Sequence, residues 1–305
     1  ISFHAVLSAT APLDPIATAV LHPCDAASLI GALEARDKTL ITPILVGPED
    51  RIKAVAAEEG HNIDGLDIVD AKHSHASAQA AVRLVREGKA QALMKGALHT
   101  DEVMSAVVDK VTGLRTERRM SHVFVLDVPT YPKPLLITDA AINIFPDLMV
   151  KADIVQNSIE LAHAIGVDEP KVAILSALET IYPKIPSTVE AAALCKMADR
   201  GQITGGVLDG PLAFDNAISR KAADAKGITS PVPGEADILV APDLEAGNMI
   251  AKQLMYLAGA DSAGLVLGAR VPIMLTSRAD GTLSRLVSAA LAQLMVHHTL
   301  GRDLM

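Results

Sequence analysis

Residues 90–110 read Ala90-Gln91-Ala92-Leu93-Met94-Lys95-Gly96 followed by ALHTDEVMSAVVDK. The apolar run 90–94 predicts a buried strand, Lys95-Gly96 ends it, and 101–110 predicts a helix. A strand that stops on a cation and a glycine and then enters a helix is one half of a βαβ unit. Working outward, the same alternation repeats. Strand-like runs at 40–46 and 66–69 each precede a helical stretch, 49–59 and 74–87. Beyond the middle of the chain, strands are expected at 171–176, 205–208, 237–240, 263–267 and 271–276. Helices are expected at 147–165, 187–200, 211–226, 245–258 and 281–295. The fold class is therefore α/β, with parallel sheets covered on both faces by helices.

The rhythm breaks once. Runs 122–126 and 134–138 are joined by a Pro-rich connection, Pro129 to Pro134, with no room for a crossover helix. They are expected to pair antiparallel at the edge of a sheet. Two α/β blocks meeting there suggest two domains around a cleft.

Composition narrows the function. The 305 residues are 50% hydrophobic but only 2% aromatic, with no Trp, so the core must be built from aliphatic side chains. A net charge of −9 argues against nucleic acid as the main partner. No apolar run is long enough to span a bilayer and no basic-then-apolar leader opens the chain, so a cytoplasmic protein without membrane contact is expected. Cys24 and Cys195 are too few for a disulfide framework and read as small buried hydrophobes. Neither G-x-G-x-x-G, a P-loop, nor a G-x-S-x-G elbow occurs. His73, His75, His297 and His298 lack further ligands at zinc spacing, so no metal is expected.

Ligands of parallel sheets sit at strand C-terminal ends, where helix N-termini point. The strongest candidate is Ser277-Arg278-Ala279-Asp280, ahead of the last helix. Arg278 can clamp a phosphate, Ser277 can donate to a developing negative charge, and Asp280 can act as a base. Ser277 or Asp280 as a plain helix cap is the competing reading. Lys95-Gly96 lets an ammonium and a bare backbone approach an anion, with Thr100 or Asp101 as a cap the alternative. Arg115, Arg118 and Arg119 form a cationic cluster or a solvated loop. Asn143, after the run 134–138, and Asn248, beyond an Asp243 cap, complete the candidates for phosphate and coenzyme A binding.

The segments ALMKGALHT, RRMSHVFVLDVP, TDAAINIFPDL, VAILSALE, PDLEAGN and PIMLTSRAD occur in that order between residues 92 and 280. Together they resemble the phosphate acetyl/butyryltransferase family over about 85–295. The Ser-Arg-Ala-Asp form and Lys95-Gly96 are closer to the phosphate butyryltransferase branch, and to the phosphate acetyltransferase half of enoyl-CoA hydratase fusions. The resemblance implies an isocitrate/isopropylmalate dehydrogenase-like fold of two three-layer α/β/α domains, residues 1–140 with 272–305 and residues 141–271, usually in a homodimer. It implies acyl-CoA and inorganic phosphate, or acyl phosphate, as substrates. A ternary complex is implied, with no cofactor and no metal. It places the catalytic pair on Ser277 and Arg278 and the phosphate- or CoA-contacting arginine on Arg118 or Arg119. In the acetyltransferase branch an acid follows seven positions after the Ser; here that position is Ser284. That departure leaves the identity of the base open, and Asp280 is the candidate the motif itself offers. Two other readings stand beside this one: a catalytically silent CoA- or acyl-phosphate-binding protein, and a decarboxylating dehydrogenase on the same fold. The latter needs a metal-binding carboxylate cluster and a nicotinamide site, and neither is legible.

Overall fold

The structure is a computed structural model that describes residues 2–276 and 280–305. Ser277 and Arg278 lie outside the described residues. The chain forms two compact units. The terminal unit combines His4–Arg118 with Ala263–Met305, and the central unit is built on Arg119–Ser262.

In the terminal unit the strands are β1 (Ile16–Leu21), β2 (Ile41–Gly47), β3 (Asp67–Asp70), β4 (Ala92–Lys95) and, after the central unit, β10 (Asp261–Leu267) and β11 (Ile273–Met274). The helices are α1 (Phe3–Ala9), α2 (Ala26–Asp37), α3 (Glu49–Glu58), α4 (Ser74–Arg86), α5 (Thr100–Val108) and, last in the chain, α11 (Thr282–Asp303). The strand order is β3-β2-β1-β4-β11-β10. All neighbours are parallel except β10 and β11, which are antiparallel. Leu21 aligns with both Val46 and Lys95, and Met274 with Met94, so the C-terminal ends of these strands lie level. The chain runs from β1 to β2 and β3 on one side and then returns to β4 on the other. The gap between β1 and β4 is thus the topological switch point, where open α/β sheets leave a crevice. Ala92, Leu93 and Met94 are buried, as a strand covered on both faces requires.

The central unit contains β5 (Ser121–Asp127), β6 (Leu135–Thr138), β7 (Lys171–Leu175), β8 (Val207–Leu212) and β9 (Ile238–Val240). Its helices are α6 (Leu148–Ala164), α7 (Pro186–Asp199), α8 (Phe214–Ile218), α9 (Arg220–Ala225) and α10 (Leu244–Tyr256). The strand order is β5-β6-β9-β7-β8. Leu126, Leu135, Ile137, Leu175, Val232 and Leu239 centre an aliphatic core, each buried side chain stabilising by about 1.5–3 kcal/mol.

β5 and β6 pair antiparallel, as the short Pro-rich connection requires. In this unit's strand order β5 comes first and β9 flanks β6 on its inner side, so the pair lies at one end of that order. The expected helix 211–226 is also corrected. β8 runs through Gly210-Pro211 to Leu212, and two short helices follow. Pro211 is tolerated because β8 ends the strand order, where a missing N–H breaks no ladder. Ser219 separates the two helices, and its hydroxyl accepts from the Ala222 N–H at 3.2 Å to start α9. The run 271–276 yields only Ile273–Met274 as strand, and the last helix continues to Asp303 because no Gly-Pro break follows Met295. β1 and α1, before residue 26, were not expected.

Candidate active site

Level strand ends in the terminal unit open a cavity of about 690 Å³. Its walls come from the turn after β1 and the start of α2 (His22, Asp25, Ser28), from Lys95 at the end of β4 on to His99, and from Thr276 after β11. Ser74, Glu102 and Arg285 complete the polar lining. The cavity lies at the switch point and has the size of a small-molecule site.

Each wall has a local cause. The Asp25 carboxylate caps α2, accepting from the Ser28 N–H at 2.9 Å, and so fixes that helix N-terminus at the cavity. Gly96 is required by contact. A Cβ there would sit 2.7 Å from the His22 carbonyl oxygen and closer still to that of Leu21. The Gly96 and Ala97 N–H groups donate to those same carbonyls, at 2.8 and 2.9 Å, tying the β1 and β4 turns together. α5 starts at Thr100 with His99 as its N-cap residue, so Thr100 and Asp101 are not the cap. Glu102 accepts from the His99 N–H at 2.9 Å and from the Ser74 hydroxyl, and these donors hold its carboxyl below the usual range.

Arg285, on α11, reaches the cavity across Gly31 of α2, where any Cβ would lie 3.0 Å from its side chain. One guanidinium nitrogen donates to the Asp280 carbonyl at 2.7 Å, and another lies 3.5 Å from the Glu34 carboxylate. This half of the catalytic candidate is thereby anchored. Gly281, not Asp280, occupies the N-cap position of α11, so Asp280 does not act as the helix cap.

A second polar cluster lies in the central unit, at the turn after β6. The buried Asp139 carboxylate accepts from the N–H groups of Ala141, Ile142 and Asn143 at 2.9–3.1 Å and from the Asn143 amide at 2.7 Å. The same Asn143 amide donates to the Met120 carbonyl at 2.8 Å, while its oxygen accepts from Arg119 Nε at 3.2 Å. Asn248 donates to the Ala140 carbonyl at 3.2 Å, and Gly247 lets α10 pack against that turn. Asp243 caps α10, as expected. His122, on β5, is buried; burial pushes its pKa down to about 4, against the pull of the Asp139 charge.

The candidates thus separate into groups. Lys95 and Gly96 share the cavity with Thr276, the residue before Ser277. Arg119, Asn143 and Asn248 share the turn after β6. Arg118 belongs to the terminal unit, its N–H accepted by Thr116 Oγ1 at 3.1 Å. His22, Ser28 and Arg285 were missed. The signal for His22 was a polar residue directly after the run Ile16–Leu21, the same signal that marked Lys95.

A model of the phosphate acetyl/butaryl transferase family matches residues 75–293. The phosphate acetyltransferase of Rhizobium meliloti is 65% identical over 92% of this chain and 89% of its own length. The phosphate butyryltransferase of Clostridium acetobutylicum is 44% identical over 86% of this chain and 87% of its own. A branched-chain phosphotransacylase from Enterococcus faecalis V583 superimposes with a TM-score of 0.80 at 31% identity, covering 93% of this chain and 99% of that one. With a match of that span and relatives at that identity, the chain is an acyltransferase and belongs to the phosphate acetyl/butaryl transferase family.

Proposed function

We propose that this enzyme transfers a short acyl group reversibly between coenzyme A and inorganic phosphate, through a ternary complex in which no side chain is acylated. The observation that carries the reading is the cavity at the switch point, whose wall ends at Thr276, one residue before the Ser277-Arg278 pair. Lys95 and Arg285 are the cations of its lining that could meet an acyl phosphate or the phosphates of CoA, beside the Asp25 and Glu102 carboxylates. Arg278 would hold phosphate and offset charge on the tetrahedral intermediate. Ser277 would hydrogen-bond the sulfur or the oxyanion. Asp280, two residues after Arg278 in the sequence, is one group able to take the thiol proton. No cofactor or metal enters the proposal, because thioester and acyl phosphate are both activated acyl donors.

Identity of 65% to an acetyltransferase against 44% to a butyryltransferase favours acetyl as the acyl group. We extend the proposal to two isocitrate dehydrogenase-like domains and to a homodimer. The compact units support a division of that kind, and the exposed Met249, Tyr256 and Leu257 at α10 offer an apolar face. Among the described residues no helix is long and apolar enough to cross a membrane, and we place the enzyme in the cytoplasm with its CoA.

The test is thiol release from acetyl-, propionyl- and butyryl-CoA with and without phosphate or arsenate. Release that depends on either anion, fastest with acetyl-CoA, is expected. Binding of acyl-CoA without anion-dependent release would instead mark a silent binding protein. Arg278→Ala should cut turnover about 10²–10³-fold, the usual loss when one such donor is removed.

A further inference from the structure

His22 is a non-glycine residue with φ +57°, in the left-handed region that side chains enter only when their surroundings impose it. Here they do. Its N–H donates to the Val46 carbonyl at 2.7 Å, and its own carbonyl accepts from Cys24 at 2.8 Å and Ala97 at 2.9 Å. The ring lies between the ends of β1, β2 and β4, at the switch point, and forms part of the cavity wall.

The hydrogen bonds fix its tautomer. Ser77 Oγ donates its one proton to the His73 carbonyl at 3.0 Å. With that proton on the His73 carbonyl, we assign the contact between Ser77 Oγ and His22 Nδ1, also 3.0 Å, as donated by the ring. A neutral His22 therefore carries its proton on Nδ1 and a lone pair on Nε2. Ser77, on α4, and Gly47, which packs near Nδ1, are not part of the cavity wall, whereas His22 is. The Nε2 edge is what the ring presents to the cavity. Burial keeps the imidazole neutral by lowering its pKa, helped by Arg51 and His73 and opposed by Glu102 and Asp25. Lys95, aligned with Leu21 at the same strand end, adds a further positive charge on that side.

We propose that His22 Nε2, rather than the Asp280 carboxylate, takes the proton of the coenzyme A thiol. The inference rests on the acyl transfer proposed above. As acyl-CoA forms, the S–H bond breaks and its proton moves to Nε2 while sulfur attacks the acyl carbon. The bond from that carbon to the phosphate oxygen then breaks, and the proton passes to the departing phosphate. In the opposite direction phosphate loses that proton to Nε2, attacks the thioester carbonyl, and the leaving thiolate recovers the proton. A thiol with a pKa near 8.5 is only a few per cent ionised at neutral pH, so such a base is worth about 10²–10⁴-fold.

The decisive variant is His22→Gly, because glycine occupies φ +57° without strain. Turnover of acetyl phosphate with CoA should fall about 10²–10⁴-fold with little change in the acetyl phosphate KM, and added imidazole should restore at least tenfold. In the wild type, kcat/KM for CoA should fall as pH drops below the ordinary histidine range, and His22→Gln should lose that limb. Turnover within threefold of wild type in His22→Gly overturns the proposal, as does a limb that survives in His22→Gln and disappears in Asp280→Asn. Should both His22 variants fail to fold, a wild-type profile without an acid limb is enough to reject it. Anion-dependent CoA release by the wild type tests the acyl transfer separately from these outcomes.

Discussion

The cavity in the terminal unit and the turn after β6 are both polar clusters at strand ends, but only the first borders open space. Around Asp139 the polar groups are turned on one another: one carboxylate takes four donors, and Asn143 joins Met120, Asp139 and Arg119. At the cavity, backbone bonds tie the β1 and β4 turns together while Lys95, His22 and Arg285 border some 690 Å³ of space. A network satisfied internally gains rigidity and offers little to a ligand. Polar groups arranged around open volume keep a face on which a ligand can bind. On that difference we read the cavity as site and the turn after β6 as scaffold; residue type does not distinguish them, since both clusters contain an arginine.

If this contrast holds, damage to the two regions should differ in kind. Asp139→Ala should have the largest effect on stability, about 3–5 kcal/mol by urea unfolding, because it takes the acceptor from the buried N–H groups of Asn143 and the part-buried ones of Ala141 and Ile142. CoA affinity of the surviving folded fraction should not change. Gly96→Ala should do the reverse. Stability falls by about 1–3 kcal/mol, while kcat/KM drops about 100-fold as the β1 and β4 turns are forced apart.

Acid should reach the scaffold first. His122 has a folded pKa of about 4 against 6.5 unfolded, so between those values the unfolded chain binds a proton that the folded one refuses. Stability contributed above pH 6.5 is lost as pH falls toward 4, on the order of 2–3 kcal/mol. Urea midpoints at pH 7 and 4.5 should show this loss, and His122→Phe should flatten it. The smallest effect is expected from Asn248→Ala, about 1 kcal/mol for its single bond to the Ala140 carbonyl, with an unaltered KM for CoA. A tenfold rise in that KM would move Asn248 out of the scaffold and into the site.

The α/β class and most strand ends were legible because a polar residue interrupts an apolar run at each: Lys95 at the end of β4, Asp139 after β6, Asp243 after β9. β1 escaped because Thr18 and small alanines dilute its hydrophobic contrast, and with it went His22. The break at Ser219 carries neither Gly nor Pro, so 211–226 resembled one helix. Arg285 lies one turn inside a helix, and only folding brings it across Gly31. Asn143 and Asn248 were recognised as special, but their partners Met120, Arg119 and Ala140 come from other elements, so sequence alone could not show the hydrogen bonds that hold them.

Pro211 in β8 has a consequence for the enzyme in a crowded cell. An outermost strand offers its free N–H and C=O groups to any other chain in extended form, and sheets grow into aggregates by that route. β8 meets a would-be intruder with a residue that has no N–H to give. β3, outermost in the terminal unit, is only four residues long and begins and ends on aspartate. Each unit therefore closes its outer strand chemically, by a missing donor in one and by charge in the other, and can remain monodisperse at high concentration without a covering helix.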